Sequence, residues 1–147
     1  MNIKILVGAG DKIIGLTLPF ALVGIILNMF YPYWFKMNTG IVIGSVFLLL
    51  GIPFWLISVV QMLKYVPQNK LITKGPFLVL LHPIYTSVAL LVIPGLSLVL
   101  DAWVGLGIGV ILYGISRIFR THEEDKLNFL FPHEYPVYRS KVLISWL

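Results

Sequence analysis

The chain has 147 residues, of which 59% are hydrophobic and only 12% charged, with a formal net charge of +5 and a mean hydropathy of +0.94. Soluble domains run at about 45–50% apolar and about 25% charged residues. A chain this short could not hide so much apolar surface from water, which excludes a soluble globular domain. The absence of cysteine removes disulfides, cysteine metal ligands, thiol nucleophiles and cysteine-linked lipid anchors. The basic residues flank apolar stretches and form no arginine-rich stripe, which argues for anionic lipid headgroups and against nucleic acid as their partner.

Four apolar stretches predict an all-α, polytopic membrane protein in one membrane-embedded domain, with spans at about 13–34, 41–63, 83–100 and 102–119 and a polar helical tail over 120–147. Each is near the roughly 20 residues that carry a helix across about 30 Å of hydrocarbon. The first stretch is long and lacks a small-residue cleavage site, so it reads as a retained span. Phe30, Tyr31, Tyr33, Trp34 and Phe35 at its far end form the aromatic belt expected where a helix reaches the headgroups. Only Asp101 separates the third and fourth stretches, which predicts a tight helical hairpin. Ten of the eleven Lys and Arg fall on one side of this arrangement and only Lys36 on the other. The positive-inside rule makes the ten cytoplasmic, with both termini and the loop between the second and third spans. Glycines recur in the spans, and Gly105 with Gly109 makes a small-xxx-small pair of the kind that lets helices approach.

Almost every residue capable of polar chemistry lies in two segments on that one side. The first runs from Lys70 through Gly75-Pro76-Phe77 to His82-Pro83-Ile84-Tyr85-Thr86-Ser87. Pro83 suits the first turn of a helix, where its missing N–H costs nothing, and leaves His82 at the cap. The free N–H groups of such a turn attract a carboxylate or phosphate, although a histidine at a membrane interface is more often a solvated cap than a ligand. The second segment is Arg120-Thr121-His122-Glu123-Glu124-Asp125-Lys126-Leu127, followed by Phe131, His133, Tyr135 and Tyr138. At a helical period, Arg120, Leu127 and either Glu123 or Glu124 share a face. Three acids beside a membrane attract cations, but such runs are commonly a solvated turn balanced by neighbouring Arg and Lys. His82, His122 and His133 with Glu124 have zinc-ligand chemistry but no ligand spacing, so no metal site is predicted.

Read together, Gly75-Pro76-Phe77, His82-Pro83-Ile84-Tyr85, Glu123-Glu124-Asp125-Lys126-Leu127 and the Tyr135/Tyr138 pair resemble the core of the isoprenylcysteine carboxyl methyltransferase family and its phospholipid methyltransferase relatives. The resemblance covers about half the chain, from Leu71 onward. It implies a membrane methyltransferase that binds S-adenosyl-L-methionine on the cytoplasmic side, with His82, Pro83, Tyr85, Glu123, Glu124 and Leu127 around the cofactor. Arg120 and Glu124 would be the catalytic pair, and a lipid-like or prenylated acceptor would enter from the bilayer. The start of the third span and the stretch beyond the fourth should then meet around one nucleoside-sized cavity. Four positions depart from the family pattern: Leu78 and Leu81 replace arginines, Ser87 replaces a glycine, and Pro132 replaces a glycine before the tyrosine pair. Two other readings stand beside this one. One is a non-catalytic lipid- or partner-binding relative, motivated by the two leucines; the other is a sterol-reductase-like enzyme using NADPH, which stabilisation by that nucleotide would reveal.

Overall fold

The structure is a computed structural model that describes residues 4–32, 40–102 and 104–147, with side chains from Asp11 onward. The expected aromatic belt at Tyr33, Trp34 and Phe35, and Lys36 with it, lie outside the described residues. The described residues are mostly helix, with irregular segments such as 70–73 and an isolated parallel bridge between Leu80 and Ile144. Two long helices, α1 (Lys4–Phe30) and α2 (Ile41–Tyr65), lead through a 3₁₀ turn (Val66–Gln68) to a short α3 (Pro76–Val79). The helix that follows, Pro83–Val99, comprises α4 (Pro83–Ser87), a π-helical turn (Val88–Val92) and α5 (Ile93–Val99). Then come α6 (Val104–Leu130) and α7 (Glu134–Lys141).

Among the described residues three helices are long and apolar enough to cross a membrane: Asp11–Phe30, Ile41–Gln68 and Val104–Leu130. The third expected span, Pro83–Val99, is a shorter apolar helix that extends roughly 25 Å at 1.5 Å per residue. The expected boundary at 119 is not a helix end. α6 runs on to Leu130 without interruption, so Arg120, Glu123, Glu124 and Leu127 ride on the helix that carries the apolar stretch.

Lipid is the solvent these surfaces suit. Leu18, Phe20 and Val23 on α1 and Val42, Leu49 and Leu63 on α2 are all exposed, a continuous apolar surface that water would not tolerate. Polar groups inside the helices are satisfied locally: Thr17 donates to the Ile13 carbonyl, Ser58 to Phe54 and Ser97 to Ile93, each at 2.7 Å. Hydroxyls that bond back to the preceding turn in this way are not left unpaired in hydrocarbon. Pro94 lacks the N–H that would bond Leu90, and its ring would crowd that carbonyl. The chain widens instead, and Ile93 N–H bonds back to the Val88 carbonyl as a π turn.

Glycine sets how closely the helices approach. A Cβ on Gly44 would sit 2.7 Å from the Gly95 carbonyl oxygen, and one on Gly51 would sit 2.7 Å from Leu91 Cβ. α2 therefore lies backbone to backbone against α5 and the π turn. Gly109 meets the Ala89 carbonyl at 2.6 Å in the same sense, bringing α6 onto the other side of that helix, and α1 packs on α6. Asp101 turns the α5–α6 hairpin with φ of +53°. At the far end Ile13, Ala89 and Leu112 form one core with Tyr85 and Phe119 packed against it, so the start of α1, the start of α4 and the later turns of α6 lie together.

Candidate functional site

Two cores hold the polar segments in place. Gly75 adopts φ of +61°, with Gln61 of α2 so close that a Cβ would lie 2.7 Å from its Nε2. Only glycine fits a left-handed turn pressed this tightly. α3 then begins at Pro76 and ends where Leu80 extends. There the chain pairs with its own C-terminal segment: Leu143 N–H donates to the Leu78 carbonyl at 2.9 Å and Ile144 N–H to Val79 at 3.0 Å. Leu81, Tyr135, Tyr138 and Val142 make the second buried core, with Leu71, Phe77, Leu127 and Phe131 against it. Tyr138 closes it by donating to the Phe77 carbonyl at 2.7 Å. Burial pushes the Tyr138 phenol up, as it does Tyr135, which the nearby Glu124 carboxylate helps raise to about 12. Both remain neutral donors at any physiological pH.

His82 is delivered by this platform to the first turn of α4, where its carbonyl accepts from Thr86 N–H at 3.2 Å. Its imidazole lies between two successive acids of α6. Nδ1 is 3.1 Å from Glu123 Oε2, and Nε2 is 3.7 Å from Glu124 Oε1. The second approach is charge attraction without a hydrogen bond, and Nε2 has no hydrogen-bond partner. Burial works to lower the imidazole pKa, but the two carboxylates Glu123 and Glu124 together outweigh it, and the net shift is upward. Tyr85 Oη donates to Glu123 Oε1 at 3.5 Å, at the outer limit of a hydrogen bond. Glu124 is held from the other side by Arg120, one helical turn away, and by Arg139 Nη2 of α7 at 3.2 Å. Arg120 also donates to the Ser145 carbonyl and Arg117 to that of Trp146.

Beside this chain of charges is a cavity of about 750 Å³, counting its open mouth. Its walls come from the end of α2 (Met62), the 3₁₀ turn after it (Val66), the 70–72 segment, α3 (Phe77), the start of α4 and the outer turns of α6. Of the residues singled out from sequence, His82, Pro83, Tyr85, Glu123 and Leu127 line it. Arg120 and Glu124 do not; they border a separate cleft with Thr121 and Arg139. Helical spacing left open which acid shares the face of Leu127: Glu123 is the one that lines the cavity with it. His122 and His133 are exposed. Sequence reasoning missed Met62 and Val66, apolar residues set among Gln61, Lys64 and Gln68 that no motif marks. It also missed Arg139 as a partner of Glu124, since nothing in a linear pattern marks a contact between two helices.

Fold and site together define an all-helical membrane protein with a polar-floored cavity at one end of its bundle. No family model, curated protein or solved structure matches the chain.

Proposed function

We propose that the chain is an integral membrane methyltransferase that uses S-adenosyl-L-methionine on a lipid-like or isoprenylated acceptor. The observation that carries this reading is the convergence of His82, Tyr85 and Glu123 on the floor of an apolar-walled cavity of about 750 Å³. The donor set fits the group: Glu123 offers a carboxylate to the ammonium and sulfonium end, while Phe77, Leu127 and Phe131 offer apolar surface to the adenine. The acceptor's lone pair would form the new bond to the methyl carbon as the sulfonium leaves as a neutral thioether. The protein's part is alignment and exclusion of water. Glu124, with Arg120 and Arg139, acts one step back by holding the His82 side of the floor.

In this reading Pro83–Val99 is a fourth span, shortened to match a hairpin at Asp101, and α7 lies with both termini on the cytoplasmic side. The clustering of Ile13, Tyr85 and Phe119 supports it, because it puts the basic segments around one end of the bundle.

The test is calorimetric titration of the purified protein in lipid with S-adenosylmethionine and S-adenosylhomocysteine. Heat saturating at one site is expected; no heat from either ligand overturns the proposal. One observation favours a second reading, a lipid-binding relative without catalysis. Leu81 is buried in the core around Tyr135 and Arg120 is committed to Glu124 and Ser145, so neither supplies a free cation to an acceptor. Binding of S-adenosylmethionine with no methyl transfer to any membrane extract would select it.

A further inference from the structure

The cavity contains one charge that the fold leaves unanswered. Among its lining residues Glu123 is met by His82 and Tyr85, and the Tyr138 hydroxyl is spent on the Phe77 carbonyl. Lys70 also lines the cavity, is exposed, and has no ion-pair partner among the described residues. Its backbone is fixed. The N–H bonds the Tyr65 carbonyl at 3.3 Å, left-handed Asn69 precedes it, and buried Ile72 follows two residues on. The surroundings reinforce its sign, for the chain carries no Asp or Glu between Asp11 and Asp101, while Lys64 and Lys74 flank the same segment. An isolated ammonium at the edge of an apolar cavity is a binding group for an anion whose remainder is apolar.

We propose that Lys70 anchors an anionic amphiphile, with a single apolar chain along Met62, Val66 and Ile72 and a terminal carboxylate or phosphate paired with the ammonium. This rests on the methyl-transfer reading only in taking that amphiphile to be the acceptor. It places the cation needed for acceptor recognition in the segment after α2, whereas residues 78 and 81 are leucines and Arg120 is engaged elsewhere. The apolar wall selects for a chain, and Lys70 selects its headgroup by charge.

The experiment titrates the full chain, in phosphatidylcholine nanodiscs with empty nanodiscs as blank, using dodecanoate, dodecyl phosphate and dodecanol. At least one of the two anions should bind about tenfold tighter than the alcohol, the worth of one charge-assisted hydrogen bond. The tighter of the two identifies the headgroup. Lys70→Ala should bring all three probes to the affinity of the alcohol, while Lys70→Arg and Lys74→Ala keep the preference. Equal binding of all three by the wild type, or a preference that survives in Lys70→Ala, overturns the proposal. S-adenosylmethionine is titrated into the same samples. If it gives no heat while the Lys70-dependent preference persists, the methyltransferase reading fails and the amphiphile site stands; if it binds and the preference is absent, the reverse holds.

Discussion

His82 Nδ1 lies 3.1 Å from Glu123 Oε2, and this contact ties the first turn of α4 to the outer half of α6. With Glu124 on its other side, the imidazole is held more readily as a cation than a free histidine. The raised pKa fixes the sign of a pH effect. A group whose folded value exceeds its unfolded value stabilises fully below the unfolded value, 6.5 for histidine, and loses that contribution as pH rises through the folded value. The groups facing the imidazole are Glu123, Glu124 and Arg120. Thermal melts in detergent should therefore show the melting temperature falling as pH is raised from about 6.5, and His82→Gln should flatten that slope. A slope unchanged in the variant would assign the effect to another group.

The two acids should separate by role. Glu124→Gln leaves Arg120 and Arg139 without their carboxylate and should cost about 2 kcal/mol of stability, read as a lower melting temperature at pH 7. Glu123→Gln should weaken S-adenosylmethionine binding by about tenfold with a smaller thermal penalty. Were the two variants to exchange phenotypes, Glu124 would be the residue meeting the cofactor.

Much of this site was legible before any coordinates, and the reasons are local. Pro83 announces a helix start and so positions His82; Gly75 before Pro76 announces a turn; the run Glu123-Glu124 within an unbroken helical pattern announces a charged face. What pattern alone left open was geometry between segments. Helical spacing allowed either acid to share a face with Leu127, and only the packing of α6 against α4 turns Glu123 to the cavity and Glu124 to Arg139. The π turn at Val88–Val92 was equally hidden. Pro94 marks a missing donor, but whether a helix kinks or widens there depends on what Gly51 and Gly109 allow on its two flanks. Hydropathy falls at Arg120 while helicity does not, so the helix that carries the last apolar stretch runs on to Leu130.

The glycine contacts give a matched pair of substitutions. Gly44→Ala puts a Cβ 2.7 Å from the Gly95 carbonyl oxygen, a backbone atom that cannot rotate away, so the α2–α5 seam must open at a cost of about 1–3 kcal/mol. Gly107→Ala meets nothing within 4 Å and should be neutral or stabilise by about 0.5–1 kcal/mol through helix propensity. Parallel melts of the two variants check both, and equal destabilisation would refute the close approach.

Tyr138→Phe removes only the hydroxyl that donates to Phe77. It should cost about 1 kcal/mol, the common net worth of a buried hydrogen bond, and loosen the C-terminal segment. Hydrogen exchange at the Leu143 and Ile144 amides should then quicken. Unchanged protection there would mean the backbone pairing with Leu78 and Val79 suffices by itself.

The chain's lack of cysteine lets single introduced thiols report sidedness without background. If the proposed orientation holds, Thr73→Cys and Ser140→Cys both react with an impermeant maleimide only when the cytoplasmic face is opened. Labelling of both from outside intact cells would invert that orientation, and labelling of one alone would put an odd number of crossings between them.

α1 leans on α6 and has no comparable contact with α2 among the described residues. In a bilayer the exposed apolar faces of α1 and α2 meet acyl tails, so part of the molecule's packing is supplied by its surroundings. Tail length and order would then press on α1 and, through Ile13 beside Tyr85, reach the floor of the cavity without any polar messenger. The thickness of the host membrane becomes a setting of the site as well as its container.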